Sequence, residues 1–301
     1  MKRLVTKYLL VCICFISLGL ATRAQIRDVE HELTSFSAVD ISGAFQASLT
    51  YDKGYAAKIT IDDALEPYVV CYVKGKTLFI GLDEKAIPKE TKKQFKGRNS
   101  TSPTYRVVIY APEITSVTLA DEASFSFPRT VEVDDFTLSL SGAAQVQGLS
   151  VISKSAHIEA VKKSNLIMNV KCDVLDFSTD GNAKTRVDYT ASSVQFNCAG
   201  SSDAVLNGEC GGTLSVNASG SAKAQVSGKA DVLQVGGKGN AKVNASALPV
   251  KEARLSIAGI SVSVQADDVL ELDLSKGAEV SYSRDPKIKI VSIQNASVTR
   301  E

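Results

Sequence analysis

The 301-residue chain has no tryptophan, two histidines, two methionines and 6% aromatic residues. That is lean for an ordinary enzyme core, and catalysis that depends on histidine has little to draw on. Neither sign of charge dominates, with 34 Lys+Arg against 33 Asp+Glu. This balance excludes a strongly basic nucleic-acid-binding protein and a highly charged disordered one. After the first two dozen residues no apolar run is long enough to span a bilayer. CxxC pairs, HExxH, GxSxG, a P-loop and a dinucleotide fingerprint are all missing from the sequence. What is present is 44% apolar residues and 20 glycines among abundant Ser, Ala and Asn, over a length that allows one or two domains and ample core.

Residues 1–24 read as a secretory signal: Lys2, Arg3 and Lys7 precede the apolar stretch from Tyr8 to Leu20, and Thr22-Arg23-Ala24 offers a cleavage site before Gln25. Lipid attachment at Cys12 or Cys14 is disfavoured because Val11 and Ile13 stand where a small residue is needed. The mature chain would carry 30 basic and 33 acidic residues, formally −3. Export to the periplasm, the cell surface or the outer membrane follows as the expected localisation. Four cysteines remain: Cys71, Cys172, Cys198 and Cys210. An exported chain can form disulfides, but four thiols are too sparse for a disulfide scaffold.

Self-similarity is the dominant signal. FTLSLSGAAQVQG, LDFSTDGNAKTRV, VQFNCAGSSDAVLNG, LSVNASGSAKAQVSG, LQVGGKGNAKVNA, ARLSIAGISVSV and LELDLSKGAEVSY share one pattern. Their turn glycines are Gly142, Gly181, Gly200, Gly220, Gly239, Gly259 and Gly277, with gaps of 39, 19, 20, 19, 20 and 18. The double gap holds one copy in which Lys162-Lys163 replaces the glycine, and an earlier copy places Asp121-Glu122 at the turn. Before each turn apolar residues alternate with polar ones, as in Phe136/Leu138/Leu140 and Leu214/Val216/Ala218; after it a smaller set alternates, as in Ala222/Ala224/Val226. Alternation is the period of a strand. Two short strands per repeat cannot bury their apolar faces alone, but stacked copies can. The expected fold is all-β: a right-handed parallel β-helix, a solenoid with 19–20-residue coils, in which Leu138, Phe177, Val216 and Val235 line a shared interior column. An antiparallel sandwich of hairpins explains the strands but not one residue class at one phase in copy after copy. The same phase places Cys198 inside, and sets Cys172 and Cys210 two coils apart, about 9–10 Å and beyond disulfide reach.

The expected organisation is a signal at 1–24, a β-rich capping portion at 25–115, solenoid coils at 116–285, and a closing strand or tail at 286–301. Within the capping portion, Leu65, Tyr68/Val69 and Tyr72/Val73 recur at helical intervals after Asp62-Asp63, which predicts one short helix with Asp62 or Asp63 as its N-cap. Residues 84–103 read as a polar loop carrying Lys85, Lys89, Lys92, Lys93, Lys96 and Arg98.

The segments FSAVDISGAFQASLTY, DDALEPYVVCYVKGKTLFIGL and YRVVIYAPEITSVTLADEASF, with the Gly-Ser/Asn-Ala coils behind them, together resemble the family of putative auto-transporter adhesin head GIN domains, found in exported Bacteroidetes proteins. The likeness runs over about residues 35–285. It implies a β-helix with a cell-envelope role and transfers no catalytic residues. The glycine-less turns at Asp121-Glu122 and Lys162-Lys163 depart from it.

Weighed for chemistry, His31 and His157 read as surface or packing residues. The acid pairs Asp62-Asp63, Asp134-Asp135 and Asp267-Asp268 precede strand or helix starts, where Asp caps or turns the chain. The lysine-rich loop at 85–98 reads as a solvated loop before it reads as a site for acidic glycan or lipid headgroups. The sequence therefore assigns no catalytic, cofactor-binding or metal-ligating residue. The expected function is an exported, non-enzymatic, adhesin-like envelope module binding glycan or a host or envelope protein through repeated polar faces, with no nucleic-acid partner. The alternative is a β-helix polysaccharide lyase or glycoside hydrolase.

Overall fold

The computed structural model describes residues 26–95 and 102–301; the expected signal segment, Lys96 and Arg98 lie outside them. The alternating pattern folds as its period demands, into about 67% strand wound as a β-solenoid of about ten turns of roughly 19 residues. Leu138 registers with Ile158, and the column continues through Phe177, Phe196, Val216, Val235, Leu255 and Leu272, each beside its equivalent one coil on. Every member is 2% exposed or less. At ~1.5–3 kcal/mol per fully buried side chain, such columns supply the main favourable contribution to the fold. The widest rung is Phe177 on Phe196, rings parallel to within 10° at 5.1 Å.

A second vertical element is the turn. All seven repeat glycines have positive φ, and so do the two substitutes, Asp121 at 60° and Lys162 at 63°. The left-handed conformation thus belongs to the phase and is imposed even where the residue has a Cβ. Backbone stacks directly on backbone here: a Cβ on Gly220 would lie 2.7 Å from the Gly200 carbonyl oxygen. Asp121 and Lys162 are admitted because glycines adjoin them in the stack, Gly43 and Gly142 around the first, Gly142 and Gly181 around the second.

Residues 38–111 supply two coils of their own, in an order that differs from the chain's. Ala38–Ile41 pairs in parallel with Thr77–Leu82 on one side and Ser116–Leu119 on the other. Gln46–Tyr51 lies likewise between Tyr105–Ala111 and Ser124–Ser126. The later segment is therefore the outer coil, and antiparallel strands cover its edges. Ala56–Asp62 lies on Tyr105–Ala111 and carries Ile26–Glu32, while Val69–Lys74 lies on Thr77–Leu82.

The helix expected after Asp62-Asp63 is not formed. One 3-10 turn, Glu66–Tyr68, leads into the strand Val69–Lys74. Val69, Val70, Tyr72 and Val73 favour extended backbone. Gly75 and Lys76, with φ of 58° and 67°, form the two-residue reversal that folds the strand onto Thr77–Leu82. The short helix lies instead in the lysine-rich segment, at Lys89–Gln94. At the opposite end Lys287–Gln294 and Ser297–Arg300 form strands, but they stack in parallel as one more coil. Ile288, Ile290 and Ile293 continue the columns of Leu270, Leu272 and Leu274 and remain 41%, 63% and 38% exposed.

Candidate binding surface

Residues between the buried ones face solvent and stack in ladders. On the sheet that precedes the glycine turns, one outer column runs His157, Asp176, Gln195, Ser215, Gln234, Arg254, Glu271, Lys289; its neighbour runs Ser139, Glu159, Ser178, Asn197, Asn217, Gly236, Ser256, Asp273. Many rungs bond to the next. Ser139 donates to Glu159 at 3.1 Å, Asn217 to Asn197 at 3.2 Å, Ser215 to Gln234 at 3.4 Å and Ser256 to Asp273 at 3.3 Å. The sheet after the turns has its own ladder, with Asn207 donating to Asp188 at 3.0 Å and Ser227 to Asn207 at 3.1 Å. Polar side chains tied along the axis lose less freedom when a ligand docks, so these faces are pre-organised.

The first sheet dips around Gly236. A depression of about 450 Å³ is lined there by Ser215, Asn217, Gln234, Arg254, Glu271 and Asp273. A Cβ on Gly236 would come within 2.8 Å of Asn217 Oδ1, so the missing side chain both seats Asn217 and leaves the hollow open. Lys289 donates to Glu271 at 2.7 Å and holds that carboxyl below the usual range. Arg254 pairs with Glu252 at 2.9 Å. The hollow thus sets amide donors and acceptors between a guanidinium and two carboxylates, a lining suited to hydroxyl-rich or peptide ligands. A larger hollow of about 820 Å³ lies at the acidic corner of Glu113, Glu132, Asp134 and Asp135, where Lys154 neutralises Asp134 at 3.0 Å.

The residues weighed for chemistry are scattered. His157 Nδ1 lies 3.0 Å from Asp176 on the exposed ladder, while His31 has a buried Nε2 without a partner on the edge strand. Asp62 is buried and accepts the Thr104 N–H at 2.7 Å, and Asp63 pairs with Arg27 at 3.0 Å. Asp267 faces Arg284 at 3.7 Å. Among the described residues no group of three or more His, Cys, Asp or Glu is placed to hold a metal ion. Cys71, Cys172, Cys198 and Cys210 are free thiols, with Ala191 between Cys172 and Cys210 in their column. Burial pushes the Cys71 and Cys172 thiols up to about 11.

Two features are hidden from the sequence. Gly236 interrupts a polar column that only the register reveals. Tyr72 and Phe79 stand on the outer face as a stacked pair, centroids 5.2 Å apart, where a helical reading of residues 62–74 hides their partnership.

In sequence the chain matches no curated protein. Among solved structures it is similar to a putative adhesin from Parabacteroides merdae, at 16% identity over 93% of this chain and 97% of that one, with a TM-score of 0.49. It is also similar to a putative adhesin from Parabacteroides distasonis, at 15% identity over 93% and 98%, TM-score 0.48. A putative lipid binding protein from the same species aligns at 19% identity over 93% and 98%, TM-score 0.47. The family described as "Putative auto-transporter adhesin, head GIN domain" matches residues 35–209 and 174–286, and the chain belongs to that family.

Proposed function

We propose that this protein is an exported, adhesin-like module of the cell envelope that binds a glycan or protein surface without transforming it. The observation that carries this reading is the pair of flat, interlocked polar ladders, with the Gly236 hollow set into one of them. Repetition at about 4.8 Å gives many equivalent weak contacts, and affinity then comes from their number. Family membership and the signal-like start of the chain favour a place in the periplasm or on the cell surface. No helix among the described residues is long and apolar enough to cross a membrane.

Protease shaving of intact cells tests the location, and arrays of oligosaccharides and extracellular-matrix proteins test the binding. Protease-accessible protein that retains one class of ligand on the arrays supports the reading. Purified protein that binds neither class, or that releases sugars from polysaccharides at catalytic rates, overturns it.

A further inference from the structure

An exposed ring and a half-buried one stand together at the end of the first sheet where Val69–Lys74 forms the edge. Tyr72 is 47% exposed and stacks on Phe79 at 5.2 Å and 21°. The core gains little from rings that face outward, and a solvent-facing pair of this kind suits a contact surface. The next strand places Asp40 level with Phe79 on one side and Thr118 on the other. Along its own strand the outward neighbours of Asp40 are Ala38 and Ser42, both short, so one side of the Phe79 ring is flanked by low side chains. Ser139 and Glu159 continue the rung, the serine donating to the glutamate at 3.1 Å.

Asp40 is the anomaly. It is half-buried, burial pushes its carboxyl up from the ordinary range, and its neighbours across the strands, Phe79 and Thr118, are uncharged, the exposed Lys74 standing two strands away opposite Thr77. The Asp40 oxygens are not among the buried unpartnered atoms, so they reach solvent and are open to accept from a bound hydroxyl.

We propose that Tyr72, Phe79, Asp40 and Thr118 form a subsite for a pyranose residue of a neutral glycan. The aromatic pair packs against the apolar C–H face of the sugar, Asp40 accepts from its hydroxyls, and the Thr118 hydroxyl donates or accepts beside it. Asp40, inside the rung, disfavours a uronic or sialic carboxylate there, while the exposed Lys74 stands two residues past Tyr72, opposite Thr77 and outside the rung, which sets the preference for an uncharged sugar at this subsite. This inference rests on the surface-binding reading above and names its ligand class and one end of its binding track. The Gly236 hollow lies further along the same face, seven strands beyond Asp40 in the column, at about 4.8 Å per strand.

The test is a printed set of neutral and acidic oligosaccharides, followed by titration of the best neutral binder against Tyr72→Ala, Asp40→Ala, Arg254→Ala in the hollow and, as a control at the exposed Lys251–Asp231 ion pair, Lys251→Ala. Thermal midpoints confirm folding; Tyr72 is exposed on an edge strand, so its replacement leaves the core intact. Neutral-sugar binding weakened about tenfold or more by Tyr72→Ala and by Asp40→Ala, and kept in Lys251→Ala, is the expected result. Binding that ignores both substitutions but vanishes in Arg254→Ala overturns this subsite and leaves the proposed function standing. So does binding to matrix proteins with no glycan retained. Failure to bind either class sinks both readings together.

Discussion

Gly43 donates its backbone N–H to Asp121 Oδ2 at 3.1 Å, joining residues 78 apart in the chain. Glu122 returns a bond from its own N–H to the Gly43 carbonyl at 3.0 Å. The two turns therefore lock, and an aspartate with φ of 60° replaces the usual glycine because its short side chain satisfies a donor of the adjoining coil. Asp121→Gly loses the bond but relieves the left-handed strain, so its stability should lie near that of the parent. Asp121→Ala loses the bond and keeps the strain, and should cost about 1–2 kcal/mol in urea unfolding.

Three glycines of positive φ, one at a turn and two within strands, separate conformational strain from steric overlap. Gly148 has φ of 73° and nothing within 4 Å of the place a Cβ would take, Gly220 would meet a carbonyl oxygen at 2.7 Å, and Gly228 would meet the Gly208 oxygen at 1.9 Å. Alanine should cost about 1 kcal/mol at Gly148, about 2 at Gly220 and about 3 or more at Gly228. Denaturation midpoints that fail to follow this order would show that the coils slide apart to make room.

Phe196→Ala removes a fully buried ring that stacks on Phe177 in the middle of the main column. The expected loss is about 3–5 kcal/mol. Because each coil touches only its neighbours, the damage should also divide the cooperative unit. Hydrogen exchange should show the strands flanking residue 196 opening together while those near Leu272 stay protected.

Thiol chemistry gives a pH test. Burial raises Cys71 and Cys172 from 9.0 to about 11, which lowers the thiolate fraction near pH 8 about a hundredfold. Iodoacetamide at pH 8 should label the native protein slowly, starting with the half-buried Cys71, and label all four thiols at once in denaturant. The native rate should climb as the pH approaches 11. A Cys172–Cys210 disulfide found by mass spectrometry would contradict the column that holds Ala191 between them.

The coils from residue 116 onward were legible because each phase repeats its residue class: Leu138, Phe177 and Val235 announce one column, and seven glycines announce the turn. The region from Ala38 to Ala111 was not, because its two coils stack out of chain order and each pattern occurs only once. The spacing of Leu65, Tyr68/Val69 and Tyr72/Val73 fits a helix as well as a strand, and β-branched residues with a two-residue turn decided the outcome. Polar ladders were readable as interleaved Ser, Asn, Gln and Lys. The Asp40–Phe79 neighbourhood was not, since it joins strands separated by a reversal that no local pattern encodes.

The inserted coil near the start also sets how the molecule must be assembled. Ala38–Tyr51 is not flanked on both sides until Thr77–Ala111 and Ser116–Ser126 have both been made. A growing polypeptide therefore has to wait for a foundation of roughly ninety residues, a long-range closure that is slow to form. Past that point every further twenty residues or so can settle on a finished template as one more storey. Shortening the chain from its far end should strip storeys singly, whereas any loss within the foundation leaves nothing on which to build.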